Sequence, residues 1–136
     1  MTRPDEIIAA ARSFLGTPYR HRASVPGAGA DCLGLIIGVA RTLYGNTPDL
    51  PPYGPDWRDN RHRRALEALA DTWLIRTAAP GPGAVLLFRL GPTPLPRHCG
   101  ILTGPDQFIH AQEGLGVVEA SLGPWAERVS GSFLFP

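Results

Sequence analysis

One cysteine and two histidines stand out in this 136-residue chain for their chemistry. In "GADCLGLIIGVARTLYG", residues 29–45, Asp31 is a good helix cap and Cys32 falls in the first turn, ahead of a long apolar stripe. A helix start favours a thiolate, because its unpaired amides and the positive end of the helix dipole stabilise the anion. His98 and His110 lie in two strand-like runs, "RHCGILTG" and "QFIHAQ", joined through a "TGPD" turn. Neighbours on a strand point to opposite faces, so His98, Gly100 and Leu102 face one way and Cys99, Ile101 and Thr103 the other. His110 shares a side with Phe108. Paired as a hairpin, the strands set His98 and His110 side by side, on a face that can receive the start of the Cys32 helix.

That grouping supplies a nucleophile, a base and an orienter. His98 would take the thiol proton and later pass one to a leaving amine. His110 would hold the His98 ring, as the third member of a triad does. The Cys32 amide, free at the helix start, is a natural oxyanion donor. Other readings stay open from the residues alone. Cys32 could be the first residue of a core stripe, since free cysteines are often buried. A strand histidine is more often structural than catalytic. Zinc is disfavoured, because His98 and Cys99 point to opposite faces and the chain has no short Cys-x-x-Cys pair.

The elements that must position these residues follow from pattern. Residues 4–15 read as a helix, with Pro4 in the first turn, Asp5 and Glu6 at the positive end, and Ile7, Ile8, Ala11, Phe14 and Leu15 on one face. Residues 17–30 read as a Gly-, Pro- and Arg-rich loop. A second helix spans about Cys32 to Tyr44 and ends at Gly45; within it, Gly34 and Gly38 would admit close approach of another backbone. A proline-rich connection, 46–60, leads to a third helix near Arg61 to Trp73. Arg61, Arg63 and Arg64 at its start read as a solvated face, or as contact with an acidic partner. Strands are predicted at 84–90, 97–104, 107–112 and 116–122, then one helical turn at "PWAERV" and a last strand at "GSFLFP". Helices first and a meander of strands after them mean α+β with an antiparallel sheet.

Composition bounds the rest. The length suits a single domain, residues 1–136. Hydrophobic residues make up 43% and charged residues 18%, a globular balance rather than a disordered one. A net charge of +1 gives no field for nucleic acid, and no apolar run is long enough for membrane insertion. The basic residues are all arginine. The start, "MTRPDEIIAAARSFLG", has acidic residues and helical spacing instead of a secretory signal, so synthesis in the cytoplasm is expected. Cys32 and Cys99 are then expected to stay free. No cofactor is implied.

"GTPYRHRASVPGAGADCLGL" resembles the active-site segment of the NlpC-type cell-wall peptidases, which are papain-like cysteine enzymes. Gly16, Tyr19, Asp31, Cys32, Gly34 and Leu35 match that family's pattern. "PGAVLLF" resembles its Pro-Gly-Asp-Val-Leu-Leu-Phe strand with Ala84 in place of the acid, "RHCGILTG" its His-x-Gly-Ile segment, and "FIHA" the strand of its third residue. The resemblance implies a papain-like fold, N-terminal helices packed on an antiparallel sheet or half-barrel. It implies Cys32 as nucleophile, His98 as base and His110 as the polar third member, with Tyr19 and Asp31 as substrate-binding residues. The implied substrate is a peptidoglycan stem peptide, cut between D-glutamate and diaminopimelate. Two departures bear on specificity: Leu33 follows the cysteine where the family has serine, and "RHRAS" stands where it has a Trp-Gly-Gly run. The wording "YRH…GADCLGL…GVARTLYG" is most similar to the subgroup of phage tails, prophages and gene transfer agents. That implies tail or baseplate hub partners and delivery to the periplasmic cell wall within a virion-like tail. The rival expectation is a non-catalytic tail-tip module that keeps the fold and binds cell wall or a hub protein; a weaker one is an acyltransferase or amidase with the same triad.

Overall fold

The computed structural model describes residues 3–46, 65–91 and 95–136. Helix α1 (Pro4–Arg12) starts on Pro4 with Asp5 and Glu6 in its first turn, and buries Ile7, Ala10 and Ala11. It stops three residues before the predicted end. The amides of Phe14 and Leu15 bond to the carbonyls three residues back, on Ala11 and Arg12, which tightens the last turn beyond α-helical geometry. Gly16, with φ +82°, then turns the chain.

The stretch read as a loop contains a small ribbon, β1 (Ser24–Val25) with β2 (Gly29–Ala30). Helix α2 (Cys32–Tyr44) has both predicted ends. Asp31 caps it by accepting from the Gly34 amide at 2.6 Å, and Gly45 closes it in the left-handed conformation with φ 78°. The two small positions on α2 are needed for approach. A Cβ on Gly34 would lie 1.9 Å from the Ala23 carbonyl oxygen, and one on Gly38 2.2 Å from the Phe14 ring. Gly34→Ala is therefore expected to destabilise the fold. Its helix-propensity gain of about 1 kcal/mol is outweighed by overpacking of about 1–3 kcal/mol or more against backbone that cannot rotate away. Equilibrium denaturation measures this; a midpoint at or above the parent's would refute it.

Helix α3 (Ala65–Trp73) ends where predicted, but Arg61, Arg63 and Arg64 lie outside the described residues. The strands are β3 (Ile75–Arg76), β4 (Val85–Arg89), β5 (Pro96–Leu102), β6 (Gln107–Gln112), β7 (Gly116–Ser121) and β8 (Val129–Leu134), with a 3-10 helix at Gly123–Arg128. They form one six-stranded antiparallel sheet in the order β3-β8-β4-β5-β6-β7. This is the predicted α+β class. The short β3 was not legible; it is an exposed two-residue edge beside β8.

Both faces of the sheet are covered. The helices pack Ile7, Ala11, Phe14, Leu35 and Val39 against Val85, Leu87, Cys99, Ile101, Ile109 and Phe133. On the other face Leu86, Phe88, Leu102 and Phe108 form a second cluster with Leu122, Trp125 and Val129. Two covered faces explain why β4 reads as an unbroken apolar run. Among the described residues, no helix is long and apolar enough to cross a membrane.

Candidate active site

The helix start and the hairpin meet as their sequences suggest, with one correction. Helix α2 packs on the sheet face that carries Cys99, Ile101 and Ala111, not on the face of the histidines. The pairs Ile101↔Ile109 and Leu102↔Phe108 set the register of β5 and β6, and among the described residues the ladder does not continue toward His98. Cys32, at the first position of α2, lies beside Cys99 and His98 of β5.

The register also explains the histidine pair. It sets His110 across from Gly100, two residues along from His98, so the two rings are diagonal neighbours on one face. A Cβ on Gly100 would lie 2.8 Å from the Ile109 carbonyl oxygen and 3.2 Å from the His110 Cβ. With no side chain there, the rings meet: His98 Nε2 lies 2.7 Å from His110 Nδ1. His98 thus has its Nδ1 left for the thiol. Phe88, its partner across the β4–β5 ladder, and Trp125 pack on its ring with centroids 5.9 and 5.5 Å away.

His110 is fully buried, against Phe108 at 4.4 Å and Trp125 at 5.1 Å between ring centroids. Burial, and then the charge on His98, lowers its pKa from 6.5 to about 4, so it is neutral near neutral pH. When His98 is an imidazolium its Nε2–H donates, and His110 accepts through Nδ1. That assigns the His110 hydrogen to Nε2, a buried atom with no hydrogen-bond partner among the described residues.

Cys32 is buried, and burial by itself would raise its thiol pKa. The largest influence is a hydrogen bond from the Cys99 thiol, and a hydrogen bond and positive charge from His98 act in the same direction. Together they overcome burial and the opposing Asp31 carboxylate and lower the thiol from 9.0 to about 5. The arrangement can hold a thiolate beside an imidazolium and feed a proton back to a departing amine.

Tyr19 and Asp31 occupy different positions. Tyr19 is held by a bridge to Ala30, with the Pro18 carbonyl accepting from the Ala30 amide at 3.0 Å and the Arg20 amide donating to the Ala30 carbonyl at 3.1 Å. It is half-buried and lines a cleft of about 250 Å³ together with Leu90, His98, Gln112, Glu113 and Trp125. Asp31 is fully buried. Its carboxylate accepts from the Gly34 amide at 2.6 Å and the Arg22 amide at 2.7 Å. The carboxylate thereby ties the Arg22 loop to the start of α2.

Two residues join the site that the sequence reading did not place there. Trp125 arrives from the 3-10 helix to floor the cleft and cover both histidines; its only signal was an aromatic residue in a short polar turn. Strand alternation places Cys99 with Ile101 on the face opposite His98. It is buried there, yet its thiol also donates to the Cys32 carbonyl oxygen at 3.2 Å.

In this α+β fold with a meandering antiparallel sheet, a cysteine at a helix start lies beside a strand-borne histidine pair, an arrangement that can supply a thiol nucleophile. The NlpC/P60 family matches residues 16–133, and the chain belongs to that family. The Probable endopeptidase NlpC of Escherichia coli (strain K12) is 28% identical over 111 residues, which is 82% of this chain and 63% of that protein. The chain thus spans less than two thirds of that curated relative. Among solved structures, the NlpC/p60 domain of peptidoglycan hydrolase SagA superposes with a TM-score of 0.65 at 23% identity, covering 97% of this chain and 98% of that one. NlpC2 from Trichomonas vaginalis superposes with a TM-score of 0.73 at 21% identity, covering 99% of this chain and 48% of that one. These likenesses establish the fold.

Proposed function

We propose that the chain is a cysteine peptidase that hydrolyses an amide bond in peptidoglycan stem peptides, between D-glutamate and diaminopimelate. The observation that carries this reading is the placement of Cys32 at the start of α2 beside a His98–His110 pair at 2.7 Å, where Cys99 and His98 lower the thiol to about 5. Cys32 attacks the amide carbonyl, and its own backbone amide stabilises the oxyanion. His98 protonates the leaving amine and then activates the water that cleaves the thioester. His110 orients His98. Residues 1–136 act as one domain. Digestion of purified peptidoglycan, followed by mass analysis, should release one set of fragments ending in D-glutamate and another that begins with a free diaminopimelate amino group. Intact stem peptides would refute the reading in favour of a binding module with this fold.

The likeness of "YRH…GADCLGL…GVARTLYG" to phage-tail relatives supports a second step: the chain reaches the wall as part of a virion-like tail, bound to a hub protein. Proteomics of purified particles from producing cells tests it, and absence of the chain from the particles would refute it.

Tyr19 is expected to position substrate through its hydroxyl. Tyr19→Phe should lower turnover by roughly 10²–10³-fold, the effect of removing one donor that acts in the transition state, with the melting temperature little changed. Unchanged turnover would make Tyr19 a packing residue only.

A further inference from the structure

Cys99 raises a question that its neighbours do not answer. The wall around it is apolar: Leu33, Val85, Leu87 and Ile101 surround the position. A valine would fill such a site, yet the residue has a donor hydrogen. That hydrogen is directed at the residue that opens α2, with the Cys99 sulfur 3.2 Å from the Cys32 carbonyl oxygen.

We propose that Cys99 is a positioning residue for the nucleophile: its S–H holds the Cys32 backbone through the carbonyl while the thiol is neutral, and turns to the Cys32 sulfur when that sulfur ionises. The proposal rests on the reading of Cys32 as the nucleophile. A thiol has one hydrogen and can serve two acceptors only in turn. Both acceptors belong to one residue, so the switch needs a rotation about one bond and no backbone movement. Cys99 keeps its hydrogen for this task. The Cys32 thiol beside it is the first cause that pushes its own pKa well above the ordinary value, and burial is the second. The other ionisable groups around the pair are His98 on β5, which favours the Cys32 thiolate, and Asp31 before α2, which opposes it. His110 on β6 stays neutral near neutral pH and contacts His98.

The test is the pH dependence of Cys32 alkylation by iodoacetamide, read by peptide mapping, so that no substrate is needed. In the parent protein the rate should fall below about pH 5, where the Cys32 thiol gains its proton. In Cys99→Val the acid limb should move up by about one pH unit, because the thiolate loses a hydrogen bond; on the acid side the rate falls roughly tenfold. Cys99→Ser keeps a donor and should stay near the parent profile, which a role in packing alone would not produce. Cys99→Ala serves where the valine variant fails to fold and should shift the same way. A Cys99→Val or Cys99→Ala profile superposed on the parent's, or a Cys99→Ser profile shifted as far as theirs, overturns the proposal while leaving Cys32 as the nucleophile. A parent protein whose Cys32 resists alkylation, or labels more slowly than Cys99, overturns both.

Discussion

Cys32→Ala and His98→Ala are each expected to cut hydrolysis of stem peptides by roughly four to six orders of magnitude, and the double variant should be little worse than either. In the proposed mechanism the two side chains act as one unit. Without the imidazole there is no partner for the thiolate and no proton for the leaving amine; without the sulfur there is nothing for the imidazole to activate. His98 Nε2 is engaged by His110 at 2.7 Å, so Nδ1 is the nitrogen that exchanges a proton with sulfur. The His98 ring also packs on Phe88 and Trp125, so His98→Ala removes aromatic packing as well as a base. Turnover of the folded fraction, with melting curves recorded alongside, separates the two effects. Losses that add in the double variant would mean that the residues work independently.

Much of this site is legible in the sequence, because its key relations are local. Capping chemistry located the start of α2 at Asp31. Strand alternation and a four-residue turn put His98 and His110 on one face, since both facts depend only on parity within a hairpin. What escaped the sequence depends on long-range placement. Alternation assigned Cys99 to the face opposite His98, but not that α2 would bring Cys32 over that same face, within reach of the Cys99 thiol. Trp125 follows β7, and nothing in "PWAERV" tells that the turn folds back across β4, β5 and β6. The end of α1 was missed because a tightened last turn keeps the apolar spacing of a helix while abandoning its hydrogen bonds.

Trp125 and Phe108 enclose His110, which the sequence places only on the same strand face as His98. The residue is fully buried beneath aromatic rings. The contrast between its substitutions should be the second largest effect in the site. An orienting residue must offer an acceptor to the His98 Nε2–H. His110→Asn and His110→Gln retain a carbonyl oxygen for that bond, whereas His110→Ala retains none. The amide variants are expected to keep turnover within about tenfold of the parent. The alanine variant should lose about 10²–10⁴-fold, approaching the effect of a base held in the wrong tautomer. It should also lose stability, because the ring it deletes fills a closed aromatic site; melting curves and turnover of the folded fraction must therefore be read together. The pH behaviour distinguishes the roles. With a pKa of about 4, His110 gains no proton above about pH 5, so the acid limb of activity belongs to the Cys32–His98 couple and should persist in the amide variants. The same depressed pKa acts on stability. Between 6.5 and about 4 the unfolded chain binds a proton that the folded chain refuses, so the contribution of neutral His110 is full above 6.5 and declines on acidification. His110→Gln should flatten that decline, because an amide does not titrate. Should His110→Asn fold normally and yet be as inactive as Cys32→Ala, the orienting role would fall: His110 would be the base, and the bond between the two histidines would run in the opposite sense.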